Sequence, residues 1–369
     1  MTIAVPETMQ AWSIRLPGPI ATHPLLLDRR DVPTPGRDEV LVRVSACGVC
    51  RTDVHLAEGD LPVRRHEVVP GHQVVGEVVR RGEDARRFAV GERIGIAWLR
   101  RTCQRCGYCR SGRENLCPSS QFTGWDADGG FAEYCVVPDA YAYRLPESLD
   151  DVTAAPLLCA GIIGYRALRR TQLPPGGRLG IYGFGSSAHL ISQVAMAQGA
   201  EVWVMTRGVA NRELARSLGA TFVGDADARP PGTLDAAIVF APAGELVPRA
   251  LRALSPGGAV VLAGIHMSDI PQMDYADCLF GERDLRSVTA STRQDGDELL
   301  AIAGRIPLVV HTTVIGFDDI GTALADLRAG RVSGSVVAVV RSAERTGPES
   351  PPSGPSGHGS VSRAGASWD

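Results

Sequence analysis

Two textures of apolar and polar residues succeed each other along the chain. From Ala11 to about Asp150, short apolar/polar alternations are broken by tight turns. Glu39-Val40-Leu41-Val42-Arg43-Val44, Val74-Val75-Gly76-Glu77-Val78-Val79 and Arg93-Ile94-Gly95-Ile96-Ala97 read as strands, since successive strand side chains face opposite ways. Little helical periodicity separates them, and the expectation is a small β-rich domain around a barrel-like core. From Asp151 the texture changes. Ala154 to Arg169 is apolar at helical spacing. Strands are then predicted at Arg178–Tyr182, Val202–Met205, Leu234–Phe240, Ala259–Ala263 and Arg286–Ala290. Helices are predicted at Leu190–Gln198, Asn211–Leu218, Glu245–Leu254 and Glu298–Arg305. This alternation predicts an α/β unit, a doubly wound parallel sheet of about six strands.

Thr312 to Val340 carries strand, helix and strand character, and after Arg341 large apolar side chains are almost absent. The expected organisation is a β-rich domain at 1–155, with a cysteine lobe at 100–118. A parallel-sheet domain follows at 156–306, then a return to the first domain at 307–341 and a disordered tail at 342–369.

Composition narrows the picture. The 369 residues suffice for two domains with real cores, and 44% are apolar. A net charge of -3 offers no electrostatic case for nucleic acid or anionic membrane. No run approaches the roughly 20 apolar residues that span a bilayer. The first twelve residues lack the basic start and apolar core of a secretory signal. Nine cysteines, several at metal-ligand spacing, point to a reducing cytoplasm.

Three clusters carry chemistry. Cys103, Cys106, Cys109 and Cys117 form C-x2-C-x2-C-x7-C, and four thiolates at that spacing can close a tetrahedron around one zinc. A closed set leaves no ligand position for a substrate, so this site is structural. The surrounding Arg100, Arg101, Arg105, Arg110 and Arg113 read as a solvated face. Second, the strand Arg178–Tyr182 runs into Gly183-Phe184-Gly185-Ser186-Ser187-Ala188 and then a helix. Gly183 makes the turn, Gly185 lets backbone approach a pyrophosphate, and Ala188 lets helix pack on strand, as in a dinucleotide fold. The next strand ends in Thr206-Arg207 where an acidic residue would hold an adenosine ribose, so NADP(H) is favoured over NAD(H). Third, Cys47 to His55 packs two thiols, a hydroxyl, a carboxylate and an imidazole into nine residues, a metal site, a disulfide loop or a coincidence.

With Pro70-Gly71-His72-Gln73 and Leu157-Leu158-Cys159-Ala160-Gly161, the chain from Ala11 to Val340 resembles the zinc-dependent alcohol dehydrogenases of the medium-chain dehydrogenase/reductase superfamily, in its bacterial group. The resemblance implies a GroES-like catalytic domain, a Rossmann domain, and a homodimer or homotetramer. It also implies a second zinc at Cys50, His72 and Cys159, three ligands with an open fourth position, the catalytic arrangement. By the same resemblance Thr52 would take the alcohol's proton, and the relay would run through the cofactor ribose to His55. Asp53 would orient His72, and Trp98 would bound the alcohol pocket. Cys47, Cys135 and Cys278 would be ordinary thiols, and His66 exposed. The chain departs from the family in Gln73 for glutamate, which makes the metal's surroundings less negative, and in Gly334-Ser335 for a Gly-Arg at the pyrophosphate. The implied activity is reversible hydride transfer between a primary alcohol or aldehyde and a nicotinamide cofactor. A polyol or cinnamyl-type reductase of the same fold, or a zinc-dependent nucleic-acid or protein binding module, are the alternatives.

Overall fold

The structure, a computed structural model, describes residues 3–264, 267–332 and 334–340. The expected disordered tail lies outside the described residues. The first half is organised on the long strand Glu39–Val49. It pairs antiparallel with Val74–Arg81, Tyr134–Pro138 and Ser335–Val339. Thr312–Gly316 continues the seven-stranded sheet beyond Ser335–Val339, and Arg93–Ile96 and Ala142–Arg144 extend it on the other side. The C-terminal segment therefore does return into the first sheet. A valine-rich core fills one face, with Val40, Val42, Val78 and Ile94 fully buried.

The second half is a six-stranded, all-parallel sheet. From one edge the strands are Phe222–Gly224, Glu201–Met205, Arg178–Tyr182, Leu234–Val239, Leu254–Leu262 and Asp284–Ser287. Numbered by sequence, that is the Rossmann order 3-2-1-4-5-6, with the switch point between the first and fourth strands. The last strand lies two residues before the expected Arg286–Ala290, because its register is set by parallel pairing with Ala259–Leu262. The last helix, Arg293–Ala303, starts earlier than expected, at a Thr292/Asp295 capping box.

One helical rod, Asp151–Thr171, joins the halves. Its length and composition would allow it to cross a membrane, contrary to the sequence count, but 67% of its 18-residue apolar window is buried inside the protein. Leu157, Leu158 and Ile162 of this rod pack in one cluster with Ala46, Val75 and Val337 of the first sheet and Ile181 and Ile191 of the second domain. Each such fully buried aliphatic side chain contributes about 1.5–3 kcal/mol. The rod is thus the shared wall of both domains, and it holds Cys159.

Two expectations about the first domain need correcting. An eight-residue helix, Arg51–Glu58, interrupts the strands directly after Cys50. And Arg100 is not solvated: it is buried, paired with Glu39 at 2.7 Å and donating to the Val136 carbonyl. Arg105, Arg110 and Arg113 are exposed as expected.

Candidate active site

Cys50 is the N-cap of the Arg51–Glu58 helix, at the end of the longest strand. The helix is pinned there by Asp53, whose carboxylate accepts the Cys50 N–H at 2.9 Å and the Gly71 N–H at 3.2 Å. Gly71 has φ +89°, and a Cβ on it would meet Phe131 at 2.5 Å. Only glycine gives the turn that brings His72 back over Cys50. Asp53 Oδ1 also lies 3.3 Å from His72 Nδ1, close enough for an ion-pair contact though poorly aligned with the ring N–H. One wholly buried carboxylate therefore ties both ligand loops together.

The third donor comes from the rod. Residues Leu157–Gly161 form a π-helical turn, with Cys159 at its centre. A π turn widens the helix by one residue and commonly marks a functional position. Cys159 Sγ lies 3.3 Å and Cys50 Sγ 3.4 Å from His72 Nε2. Tetrahedral zinc with ordinary Zn–S and Zn–N bonds would separate its sulfur and nitrogen ligands by about 3.5 Å. The three ligand atoms of Cys50, His72 and Cys159 converge as one such face, and among the described residues no fourth histidine, cysteine or carboxylate joins them. His72 is fully buried; Cys50 and Cys159 are half-buried. The hydrogen bond to Cys159, together with burial, pushes the Cys50 thiol well up. Burial pulls His72 down, but Cys50 and Asp53 outweigh it and raise it to about 10. Such a knot of facing lone pairs suits a cation.

The second cluster has the same fit. Sulfur–sulfur distances are 3.9 Å for Cys103–Cys109 and 3.5 Å for Cys106–Cys109, against about 3.8 Å across a zinc tetrahedron. The Arg105 and Cys106 backbone N–H groups lower the Cys103 thiol to about 6, so it is readily a thiolate. This lobe also reaches across to the cofactor domain. Glu114, between the last two cysteines, takes a bidentate pair of bonds from Arg293 at 2.9 and 2.7 Å, and Asn115 donates to the Thr289 carbonyl at 2.8 Å.

Around the three-donor cluster, Thr52 is buried and His55 half-buried, one helical turn apart. Residues three apart share a helix face, so the two side chains lead from the interior outward. Trp98 stands edge-on to His72, ring centres 4.7 Å apart. Phe122 and Trp125 stack on it at 5.1 and 5.8 Å, and the Arg64 guanidinium caps Trp125 at 3.7 Å. These aromatics were not singled out from sequence; they lie 24 and 27 positions from Trp98, with no periodicity to link them. Gln73 is buried with its amide packed on Gly48, where a Cβ would come within 2.7 Å of Cδ. Cys47, Cys135 and Cys278 are buried and His66 is exposed.

At the dinucleotide loop, Gly183 has φ +87° and its Cβ would strike Ala241. A Cβ on Gly185 would meet nothing within 4 Å, which leaves open the space a pyrophosphate needs at the N-terminus of Ser186–Ala197. Ala188 is fully buried against the sheet. Thr206 is buried too, and its hydroxyl accepts from the Phe184 N–H at 3.2 Å, so it holds the loop. Arg207 is exposed at the strand end, and Arg212, missed from sequence, donates to the Thr206 carbonyl and pairs with Asp225. Ser335, which stands in place of the arginine of the family's Gly-Arg, puts its hydroxyl 2.5 Å from Ser186 Oγ.

Comparison with known proteins gives the same picture. Residues 36–147 match the alcohol dehydrogenase GroES-like domain, and residues 183–305 match the zinc-binding dehydrogenase domain. A Mycobacterium tuberculosis (strain CDC 1551 / Oshkosh) protein named "Probable alcohol dehydrogenase AdhA" is 55% identical over 342 residues, 91% of this chain and 99% of its own length. A cinnamyl alcohol dehydrogenase of Sorghum bicolor superposes with a TM-score of 0.80 at 28% identity, over 90% of this chain and 97% of its own. A Sinorhizobium meliloti 1021 protein named "putative zinc-binding dehydrogenase", bound to NADP, does so with a TM-score of 0.79 at 30% identity, over 91% and 100%.

Proposed function

The chain belongs to the zinc-type alcohol dehydrogenases of the medium-chain dehydrogenase/reductase superfamily, and on that premise we propose a division of labour among its residues. It is an oxidoreductase acting on alcohols and aldehydes with a nicotinamide cofactor. The observation that carries the assignment is the convergence of Cys50, His72 and Cys159 on one point, with no fourth protein donor among the described residues. Zinc held by Cys50, His72 and Cys159 would supply the Lewis acidity that lets an alcohol lose its proton near neutral pH, and a nicotinamide cofactor held at the Gly183–Ala188 loop would supply the hydride acceptor. Asp53 fixes the His72 ring by its position on both ligand loops. Thr52, at the buried end of the helix face, takes the hydroxyl proton, and His55 at the outer end delivers it to water. Cys103, Cys106, Cys109 and Cys117 hold a second, structural zinc. Thiolate sites of this kind persist in a reducing compartment, so we place the enzyme in the cytoplasm, as a homodimer or homotetramer.

The aromatic wall argues for substrate class. Trp98, Phe122 and Trp125 present ring faces and edges rather than hydrogen-bond partners, which favours primary alcohols with apolar substituents over polyols. Trp98 bounds the space beside His72. Trp98→Ala is expected to raise kcat/KM for cinnamyl alcohol relative to ethanol by about tenfold. An unchanged ratio would place Trp98 outside the pocket.

For the cofactor, the exposed Arg207 supplies positive charge where a carboxylate at the strand end would repel a 2′-phosphate, while the neighbouring Arg212 is already paired with Asp225. The enzyme is expected to prefer NADP(H) over NAD(H) by about tenfold in kcat/KM, the worth of one charge-assisted hydrogen bond. Arg207→Ala should erase that preference; an NAD(H) preference that the substitution leaves alone would end the idea.

A further inference from the structure

One face of the helix Ser186–Ala197 carries Ser186, His189 and Gln193, at spacings of three and four. All three bond to segments that lead from the cofactor domain back into the first sheet. Gln193 holds Val309 twice, donating to its carbonyl and accepting its N–H, both at 2.9 Å. His189 is fully buried. Its Nδ1 lies 3.3 Å from the Gly185 carbonyl oxygen, and its Nε2 lies 3.3 Å from the His311 backbone nitrogen. A carbonyl only accepts and an amide N–H only donates, so both contacts fit one tautomer, with the proton on Nδ1. Burial pulls the ring down to about 4, so it is neutral near pH 7 and Nε2 keeps its lone pair. The His311 carbonyl in turn takes the Ser335 N–H at 2.8 Å. Gly334 makes that approach possible: its φ is +76°, and a Cβ there would strike the same carbonyl oxygen. The Ser335 hydroxyl closes the circuit on Ser186, next to Gly185. The residue after it, Val336, pairs across the sheet with Val49, the neighbour of Cys50.

We propose that His189 is a positioning residue for hydride transfer: it closes a ring of hydrogen bonds through Gly185, His311, Ser335 and Ser186 that sets the dinucleotide loop against the strand carrying Cys50. Each side of the ring adjoins one half of the proposed chemistry. Gly185 and Ser186 stand at the helix end where a pyrophosphate would sit, and Val336 lies against the residue that leads into Cys50. Transfer requires the donor and acceptor carbons within about 3–3.5 Å, and a misplacement of about 1 Å costs about a hundredfold. A slip between loop and strand would therefore slow the step while each site kept its own ligand. His189 touches neither ligand; it acts through His311 and Ser335. A phenyl ring in its place would fill similar space and leave the buried His311 N–H without its acceptor. The inference rests on the cofactor loop and the zinc site assigned above, and adds what fixes one relative to the other.

The test joins amide hydrogen exchange to single-turnover alcohol oxidation, on the full-length, zinc-loaded protein. His189→Phe should speed exchange of the His311 amide by about tenfold. It should slow hydride transfer by about tenfold, with the Kd of NADPH or NADH, read from nicotinamide fluorescence, within about threefold of native. His189→Gln offers an amide oxygen to the same N–H and should bring both exchange and rate back to within about threefold of native. Ser335→Ala opens the ring elsewhere with little change in packing, and keeps the test available if the phenyl ring is not accommodated; it should slow transfer by about fivefold. The double variant should be no slower than His189→Phe alone, because the ring is broken only once. Multiplied losses in the double variant would mark two separate packing defects and overturn the proposal. So would unchanged exchange or an unchanged transfer rate in His189→Phe, an unchanged rate in Ser335→Ala, or a loss confined to cofactor affinity. Native protein that binds neither NADPH nor NADH would overturn the cofactor-loop assignment and the ring with it. Native protein that binds and uses one of them, with His189→Phe equally fast, excludes the ring alone.

Discussion

Cys159→Ala will lower kcat/KM for alcohol oxidation by about a thousandfold or more, and the protein will carry one zinc per chain where two are expected in the native enzyme. Cys159 gives one of three donors, and Cys50 and His72 cannot hold a cation in the same geometry without it. The change is local to the π turn at Leu157–Gly161. Its neighbours Leu157, Leu158 and Ile162 keep their packing between the two domains, so the rod stays in place. Removing one half-buried sulfur should cost about 1 kcal/mol of stability beyond that due to the lost metal. Comparison of the variant with metal-depleted native protein by thermal unfolding, beside steady-state kinetics and zinc analysis, separates these effects. Activity near the native level in the variant would remove Cys159 from the catalytic site.

The second large effect is on stability. Cys109→Ala should release the lobe zinc and destabilise the fold by about 4 kcal/mol, because the energy of binding that metal is linked to ordering the loop from Cys103 to Cys117. The loss reaches past the lobe. Glu114 and Asn115 sit on the stretch between Cys109 and Cys117 and hook onto Arg293 and Thr289 of the cofactor domain. A disordered lobe frees both, so KM for the cofactor should rise as well. Arg293→Ala isolates this bridge: zinc content stays at two, and stability falls by about 2 kcal/mol, less than a fully buried pair because Arg293 is one-third exposed. The pH dependence follows from Glu114. Burial pushes its carboxyl up, but the hydrogen bonds from Arg293 outweigh that and hold it below its ordinary 4.5. A depressed carboxyl stabilises above its unfolded value and loses that contribution as pH falls through the folded one. The stability difference between native and Arg293→Ala protein should therefore be constant above about pH 5 and shrink below about pH 4. Chemical denaturation across that range measures it, and a difference that grew in acid would rule out this pair as the bridge.

What could be read from sequence was what local spacing controls. The strand before Gly183 falls at Arg178–Tyr182, because a short apolar run bounded by glycines has one reading. The four lobe cysteines lie within 15 residues, so their grouping needs no long-range knowledge. The Arg51–Glu58 helix was less legible. Its buried side chains Val54, Leu56 and Ala57 are mixed with Thr52 and Asp53, which are buried for their chemistry, so no clean apolar stripe survives. The π turn at Cys159 has no distinct residue pattern, since Leu, Cys and Ala all occur in ordinary helices and the single Gly161 marks no particular turn type. Arg100 looked solvated because charge usually is; its burial depends on Glu39, 61 residues earlier. The bridge between Glu114 and Arg293 spans 179 positions and exists only once both domains are folded. The aromatic wall was hidden for a related reason: which rings meet is decided by the turns between distant strands.

The most direct measurement is anomalous X-ray scattering from crystals of the native enzyme, recorded on both sides of the zinc absorption edge. Two peaks per chain are expected, one bounded by Cys50 Sγ, His72 Nε2 and Cys159 Sγ, and one among the sulfurs of Cys103, Cys106, Cys109 and Cys117. A single peak in the cysteine lobe, with none at Cys50, His72 and Cys159 in protein that oxidises alcohols, would contradict the account.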